Sequence, residues 1–401
     1  SFMPALHLAA YTMTSALGAG LEPTLQALRD QRSGVRARRW ETVDLDTCIG
    51  EVPEVDALTL RPDLAAYDCR NNRLAQLGLE QDGFVAAVQA AMARHGAQRI
   101  GVFLGTSTSG ILSSELAYRH RDPATGDFTQ PLDYRRTHNS YSVADFVRAY
   151  FGLQGPAFVV STACSSSAKV FGNAQRMMDS GLIDAAIVGG VDSLCLTTLY
   201  GFNSLQLVSR QPCRPYDAQR DGISIGEAAA FVLVERADGV APGAIVMSGI
   251  GESSDAHHMS SPHPEGLGAR LAMQQALDMA GLQPAQIDYI NLHGTATPSN
   301  DAAEDQGVTA LFGTDTPCSS TKGHTGHTLG AAGGIEAVLC ALALKHNLAP
   351  GGCGTEALDP KLKARYLLRN LEQPLQHVLS NSFGFGGSNC SMVLSKAGAA
   401  A

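Results

Sequence analysis

The sequence lacks several features that mark nucleic-acid-binding, secreted and membrane proteins. Its net charge is −9, so it has no basic excess for binding phosphates. The nine cysteines are odd in number and form no CxxC pair, which argues against disulfides and structural zinc and predicts a reducing, cytoplasmic location. No uninterrupted apolar run has the length of a membrane span, and the first residues lack a secretory signal pattern. We therefore expect neither nucleic acid nor membrane as a partner.

Three common site motifs are incomplete. His324 and His327 are three residues apart, but no HExxH pattern or cysteine pair accompanies them, so we expect no metal. The Ser166-x-x-Lys169 pattern of serine β-lactamases has no companion Ser-Asp-Asn or Lys-Thr-Gly motif. The glycines at 384–387 lack the strand-to-helix setting of a dinucleotide site. The sequence therefore predicts no bound cofactor.

What is present indicates a large α/β protein. The 401 residues are 44% hydrophobic and 17% charged, which is ordinary for a globular enzyme. Residues 31–80 and 192–220 are predicted to be irregular. Apolar periodicity predicts helices and strands in alternation. The predicted helices are 21–30, 84–95, 143–151, 168–180, 268–280 and one from 329, and the predicted strands are 6–11, 100–104, 157–160, 185–191, 229–235, 244–250, 288–292, 378–382 and 390–394, with one more from 317.

Two internal similarities predict that the chain is duplicated. Residues 102–108 resemble residues 290–297, since each is a strand that ends in Gly-Thr-small-Thr. The strand, turn and helix around Cys164 are echoed by those around residues 319–322. We predict two halves of one plan, residues 1–240 and 241–401. Because loops at the carboxyl ends of parallel strands meet, Cys164, His293 and the segment 322–327 should converge.

Cys164 is the candidate nucleophile. It lies between a predicted buried strand and the first turn of a helix. Unpaired backbone N–H groups and the helix dipole at that point lower a thiol pKa and favour thiolate. The alternative is an inert packing residue, as most buried cysteines are.

Two histidines and a lysine are the candidate partners of this thiol. His293 ends an apolar strand and precedes a glycine, so one side of its ring is left open. His327 lies at the start of a helix of small residues, where the dipole keeps an imidazole neutral, and Lys322 adds a fixed positive charge. The alternatives are a core histidine with all its hydrogen bonds made and a solvated surface lysine.

Together these residues resemble the β-ketoacyl-acyl carrier protein synthases of the KAS I/II type, in the thiolase-like superfamily. The resemblance implies a duplicated αβαβα fold of five layers, with two mixed sheets around buried helices. It also implies an acyltransferase that joins an acyl chain to malonyl units. The motifs that carry it are residues 162–166, residues 291–298 with Asp301 and Glu304, residues 322–333, residues 214–217 with 220–222, and the glycine-rich residues 381–389.

The resemblance further implies a role for each matching residue. Cys164 would take the acyl chain from a carrier protein, and His293 and His327 would stabilise the enolate formed when malonyl loses CO2. Lys322 and Glu304 would maintain the electrostatics of the site. Partners would be an acyl carrier protein, which itself carries phosphopantetheine, and a second copy of the chain in a homodimer. The remaining candidates are Phe385, Phe383 and Gly384 for the oxyanion and gate, Thr295, Thr297 and Thr108 for substrate binding, and Arg135, Arg136, Arg210 and Arg214 for carrier docking.

Departures from the family pattern concern the acyl chain rather than the chemistry. The first strand lacks the usual Thr-Gly-x-Gly turn, the loop 203–213 is short, and residues 106–109 are polar. An unusual chain, as in a polyene pathway, is therefore an alternative to fatty acid synthesis. Rival interpretations are a chain-length-factor-like subunit, which typically lacks the cysteine, a thiolase or KAS III-like enzyme, which lacks one histidine, and a binding module.

Overall fold

The structure is a computed structural model that describes residues 3–37, 47–107, 124–125, 141–254, 262–384 and 387–398. Four of the candidate residues, Thr108, Arg135, Arg136 and Phe385, lie outside these ranges. The described chain alternates strands and helices, with the bounds that follow.

The strands are β1 (Leu6–Ser15), β2 (Gly18–Ala19), β3 (Arg36–Ala37), β4 (Cys48–Gly50), β5 (Ile100–Gly105), β6 (Ala157–Val160), β7 (Ala185–Asp192), β8 (Ile225–Gly226), β9 (Ala228–Arg236), β10 (Ile245–Ser254), β11 (Tyr289–Asn291), β12 (Pro317–Ser319), β13 (Leu348–Ala349), β14 (Arg365–Tyr366), β15 (Leu371–Glu372), β16 (His377–Phe383) and β17 (Ser388–Lys396). The helices are α1 (Leu21–Asp30), α2 (Arg70–Leu79), α3 (Phe84–His95), α4 (Ser142–Phe151), α5 (Ser166–Asp179), α6 (Leu196–Ser204), α7 (Leu267–Ala280), α8 (Pro298–Phe312), α9 (Lys322–Thr325) and α10 (Ala332–His346).

The same strand order occurs twice along the chain. In the first half the strands lie in the order β6-β5-β7-β9-β1, and in the second in the order β12-β11-β16-β17-β10. In both halves the first three of these strands are parallel and the last two pair antiparallel. Strand β6 precedes Cys164 and strand β11 precedes His293. The carboxyl ends of both strands therefore lie on the same side of two similar half-sheets. The boundary between residues 240 and 241 stays a prediction.

The two half-sheets are joined edge to edge. Strands β1 and β10 pair antiparallel at Leu6 with Met247 and at His7 with Val246, which links all the main strands by hydrogen bonds. Helices α5 and α10 lie between the two half-sheets, because α5 packs on β5, β7 and β17 while α10 packs on β7, β9, β16 and β17. Helices α2 and α4 cover the outer face of the first half, and α7 covers that of the second. The result is the five-layered arrangement expected from the resemblance.

The central helix α10 is apolar on all sides, as expected for a helix enclosed by two sheets. The stretch Leu329–His346 has the length (18 residues) and mean hydropathy (1.3) of a short membrane span, although Glu336 interrupts its apolar residues. However, 89% of it is buried inside the protein, which is typical of a core helix. The cytoplasmic location stays a prediction.

Most predicted elements are confirmed, and four of the described helices, α2, α6, α8 and the short α9, were not predicted. Helices α1 and α3 and strand β6 have the predicted bounds, but α2 and α6 lie in segments predicted to be irregular, and α8 had no prediction. Helices α2 and α8 have polar residues on their buried faces, and these residues hide the amphipathic pattern that would have predicted the helices. These residues are Asn71, Asn72 and Gln76 in α2 and Asn300, Asp301, Glu304 and Asp305 in α8.

Candidate active site

Cys164 lies at a tight turn between β6 and α5. A short 3-10 helix, Ala163–Ser165, joins the two elements, and Ala163 has a φ of 53°, in the left-handed region. For a residue with a Cβ this conformation costs about 1–2 kcal/mol. The Ser166 hydroxyl holds the turn, because Oγ accepts from Thr162 N over 2.9 Å and donates to Ala163 O over 2.6 Å. This strained turn thus fixes the position of the thiol at the N-terminus of α5.

The second half repeats this turn without the thiol. Leu329–Ala331 forms a 3-10 helix that leads into α10, and Leu329 has a φ of 55°. Gly330 therefore occupies the place that Cys164 has in the first half. A Cβ on Gly330 would lie 2.9 Å from Asp192 Oδ2, and its N–H donates to that oxygen over 2.7 Å. The second turn thus serves packing between the halves, and His327 precedes it.

Cys164, His293 and His327 converge, as the duplicated plan predicts. The sulfur and one nitrogen of each ring all lie within 4.8 Å of one another, and the three residues are buried. The two imidazole centroids are 5.5 Å apart with the rings nearly perpendicular. A thioester bound at the sulfur would thus lie beside both rings.

The backbone around His293 is held by Glu304 of α8. Its two carboxylate oxygens accept from His293 N over 2.7 Å and from Gly294 N over 2.8 Å. Asn381 of β16 donates to the same carboxylate over 3.1 Å. Burial raises the pKa of Glu304 to about 7, while the two backbone N–H bonds oppose that rise. Glu304 is therefore placed to position the histidine loop.

Lys322 pairs with a glutamate that the sequence analysis did not name. Its Nζ lies 2.7 Å from Glu336 Oε2 and 3.3 Å from His293 Nδ1, and all three side chains are buried. Glu336 lies on α10, within an apolar helix, where a single buried carboxylate needs a cation. That need was the signal in the sequence, because Glu336 is the only acidic residue of α10. The lysine thus pairs with Glu336, and the electrostatic role that the resemblance implies for Lys322 and Glu304 stays a prediction.

Hydrogen bonds set the tautomer of both rings. The Lys322 ammonium can only donate, so His293 Nδ1 accepts and the ring proton lies on Nε2. Leu329 N donates to His327 Nδ1 over 3.1 Å, which likewise leaves the proton on Nε2. Burial, followed by the charge of Lys322, holds the pKa of both imidazoles well below the usual 6.5. The site thus offers two neutral N–H donors.

The same tautomers oppose metal binding. The Cys164 sulfur and the two imidazoles form the one group in the described residues that has the donors for a metal ion. Binding through Nε2 would move the proton of His327 to Nδ1, against the N–H of Leu329. A bound metal ion would also place a second positive charge close to the Lys322 ammonium, which would repel it. The donors are arranged for an anion instead.

Comparisons with known proteins match nearly the whole chain. Residues 8–239 match the sequence model described as "Beta-ketoacyl synthase, N-terminal domain", and residues 244–356 match the C-terminal domain of the same family. The 3-oxoacyl-(acyl-carrier-protein) synthase 2 of Vibrio cholerae is 30% identical over 96% of this chain and 97% of that protein. The chain belongs to the β-ketoacyl synthase family.

Solved structures of similar proteins agree with this assignment. A ketosynthase in complex with its chain length factor from Xenorhabdus doucetiae is 40% identical, with a TM-score of 0.88 over 98% of both chains. The ishigamide ketosynthase/chain length factor is 25% identical, with a TM-score of 0.89 over 99% of this chain and 100% of that chain. The match to the mitochondrial 3-oxoacyl-(acyl-carrier-protein) synthase of Arabidopsis thaliana, 37% identical, spans 57% of that protein. The fold is the thiolase-like one expected from the resemblance.

Four further candidate residues of the synthase, Phe383, Gly384, Thr295 and Thr297, are among the described residues. The ring of Phe383 lies 5.6 Å from that of His293, and the backbone of Gly384 packs on Thr162. Thr295 and Thr297 are buried, with their hydroxyl oxygens 2.8 Å apart. Their roles remain those expected from the resemblance.

Of the arginines suggested for carrier docking, Arg210 and Arg214 are among the described residues. Arg210 is exposed, and Arg214 is half-buried and donates to the backbone of Gln219. Their role in docking stays a prediction.

Proposed function

We propose that this synthase condenses an acyl chain on Cys164 with a malonyl unit carried by an acyl carrier protein, in fatty acid or polyketide chain elongation. The observation that carries the proposal is the convergence of one thiol with two neutral N–H donors in a buried site. Burial holds the pKa of both imidazoles well below 6.5, so each ring is neutral and presents an N–H donor where negative charge develops.

The chemistry has two stages. The Cys164 thiolate attacks an acyl thioester, the carrier thiol leaves, and an acyl-cysteine forms. A malonyl thioester then loses CO2, and the two electrons of the broken C–C bond form an enolate whose oxygen accepts from His293 and His327. The enolate carbon attacks the acyl carbonyl, which releases the Cys164 thiolate and leaves a β-ketoacyl thioester on the carrier. Lys322 stabilises the site as a fixed charge, and no cofactor bound to this chain is required.

The partners belong to the same proposal. The curated relatives are named for a carrier protein, and the solved relative from Xenorhabdus pairs a ketosynthase with a chain length factor. A homodimer is the assembly that the sequence predicts, and pairing with a non-catalytic homologue is the alternative. Cys164 supports assignment of this chain as the catalytic subunit in either case.

Intact-protein mass spectrometry with acyl thioester donors tests the proposal. We expect one acyl adduct on the wild-type protein, none on Cys164→Ala, and no condensation by that variant. Cys390→Ala is the matched control, since it removes a thiol of similar burial from β17. An adduct on another cysteine, or full condensation by Cys164→Ala, would refute the proposed function.

A further inference from the structure

A lysine on the helix that follows Cys164 contacts the glycine-rich segment on the other side of the site. Lys169 lies on α5, and its Nζ donates a hydrogen bond to Ser388 Oγ. Ser388 is the first residue of β17 and lies within the glycine-rich residues 381–389. This contact therefore links the helix of the nucleophile to the second half of the protein.

The segment that Lys169 contacts packs against the turn of the nucleophile. A Cβ on Gly384 would lie 2.9 Å from Thr162 O and 3.4 Å from Ser165 Oγ, so its backbone touches residues on both sides of Cys164. Gly384 N donates to Ser388 O over 2.9 Å, and Gly387 N donates to Gly384 O over 3.2 Å. A displacement of Ser388 is therefore transmitted to Gly384 and to the edge of the site.

The charge of Lys169 has no evident use in stability. Within the described residues it forms no ion pair, and the neighbouring carboxylate of Glu252 lies 4.0 Å from Arg176 instead. The side chain is half-buried, so it has lost part of its hydration. An ammonium that donates to a neutral hydroxyl recovers less of its lost hydration energy than one that donates to a carboxylate. The geometry therefore favours a role in placing Ser388.

We propose that Lys169 is a positioning residue that, through Ser388, holds Gly384 against the turn that carries Cys164. The contact is a property of the fold alone. Its kinetic consequence rests on the proposed function, because an acyl carbonyl on Cys164 would lie near Gly384 and would tolerate little displacement of its surroundings.

Hydrogen exchange and kinetics on five variants test the proposal. In Lys169→Met and Ser388→Ala we expect the amides of Gly384 and Gly387 to exchange about tenfold faster, and kcat/KM for condensation to fall about tenfold, in the range of couplings between contacting residues. The double variant should be no worse than either single one, and Lys169→Arg should recover part of the loss. Arg176→Met, which removes a cation from the same helix, is the control and should change neither quantity.

Each other result has a definite meaning. Unchanged exchange in Lys169→Met, additive losses in the double variant, or an equal loss in Arg176→Met would overturn the positioning role. Faster exchange with unchanged kcat/KM would overturn it as well. If the wild type fails to condense while Lys169→Met still exchanges faster, the proposed function is refuted and the contact between Lys169 and Ser388 is supported.

Discussion

At the scale of single residues, the chemistry depends on where two protons lie. Lys322 and the backbone of Leu329 occupy Nδ1 of His293 and His327, so each ring presents Nε2–H. Burial prevents either imidazole from becoming an acid that would protonate the enolate carbon. Neutral donors can stabilise negative charge without transferring a proton, which suits a decarboxylation.

Removal of either imidazole should separate the two stages of the reaction. We expect His293→Ala and His327→Ala to accept the acyl group on Cys164 but to decarboxylate malonyl thioester roughly 10²–10³-fold more slowly, the usual cost of one lost oxyanion donor. Intact mass measures acylation, and release of labelled CO2 measures decarboxylation. Loss of acylation alone in either variant would contradict this division of roles.

The tautomers can be observed directly. Because burial lowers both imidazole pKa values, the neutral Nε2–H form should persist at about pH 6, below the ordinary value for histidine. Nitrogen NMR of histidine-labelled protein, assigned with the two alanine variants, should show Nε2 protonated and Nδ1 bare at both positions. An imidazolium signal from either ring at that pH would contradict the prediction.

At the scale of elements, α8, α9 and α10 hold the site by buried polar contacts. Glu304 on α8 holds the His293 loop, and the pair of Lys322 on α9 with Glu336 on α10 locks the His293 ring. Burial raises the pKa of Glu336 to about 7, and the charge of Lys322 opposes that rise. Such a pair contributes little net stability but is costly to break on one side.

Because the pair of Lys322 and Glu336 is buried, removing both partners should affect stability and activity differently. Lys322→Met should lose about 3–5 kcal/mol of unfolding free energy, because it leaves the Glu336 carboxylate buried without its cation. The double variant Lys322→Met/Glu336→Leu should regain most of that stability and remain inactive, since the His293 ring is no longer held. Urea unfolding and a condensation assay measure the two quantities. Recovery of activity in the double variant would show that the charge is dispensable.

At the scale of the whole molecule, the two halves meet through small residues. A Cβ on Gly333 of α10 would lie 2.7 Å from the Cβ and the backbone N of Ala168 on α5. Gly334 N donates to Ser167 Oγ over 2.8 Å at the same contact. This close approach of the two central helices is what brings the turn of Cys164 next to the turn that follows His327.

A larger side chain at the contact between α5 and α10 should force these two helices apart. We expect Gly333→Val to destabilise the protein by about 1–3 kcal/mol or more through overpacking, and to slow condensation beyond what the stability loss explains. Gly201→Ala on the exposed helix α6 is the control, because a Cβ there meets nothing within 4 Å. Thermal unfolding and kinetics at a temperature where both variants are folded measure the effects. A fully active, stable Gly333→Val variant would contradict this account.

The sequence by itself determined the local structure that periodicity controls, the repeat and the reactive residues. The apolar run 157–160 and the small residues after it sufficed to place Cys164 between a strand and a helix, because both features are local. The likeness of residues 102–108 to 290–297 indicated two halves, and the strand orders agree with it. The resemblance then supplied the roles of His293, His327 and Lys322.

Only the tertiary structure decided which groups pair. Glu336 in its apolar helix signals a need for a cation, but no local pattern shows that this cation is Lys322 or that Glu304 holds backbone N–H groups. The same holds for α2 and α8, whose buried polar residues look solvent-exposed in the sequence. A buried polar side chain is satisfied by partners distant along the chain, so its direction is set by the packing of elements and not by the spacing of residues.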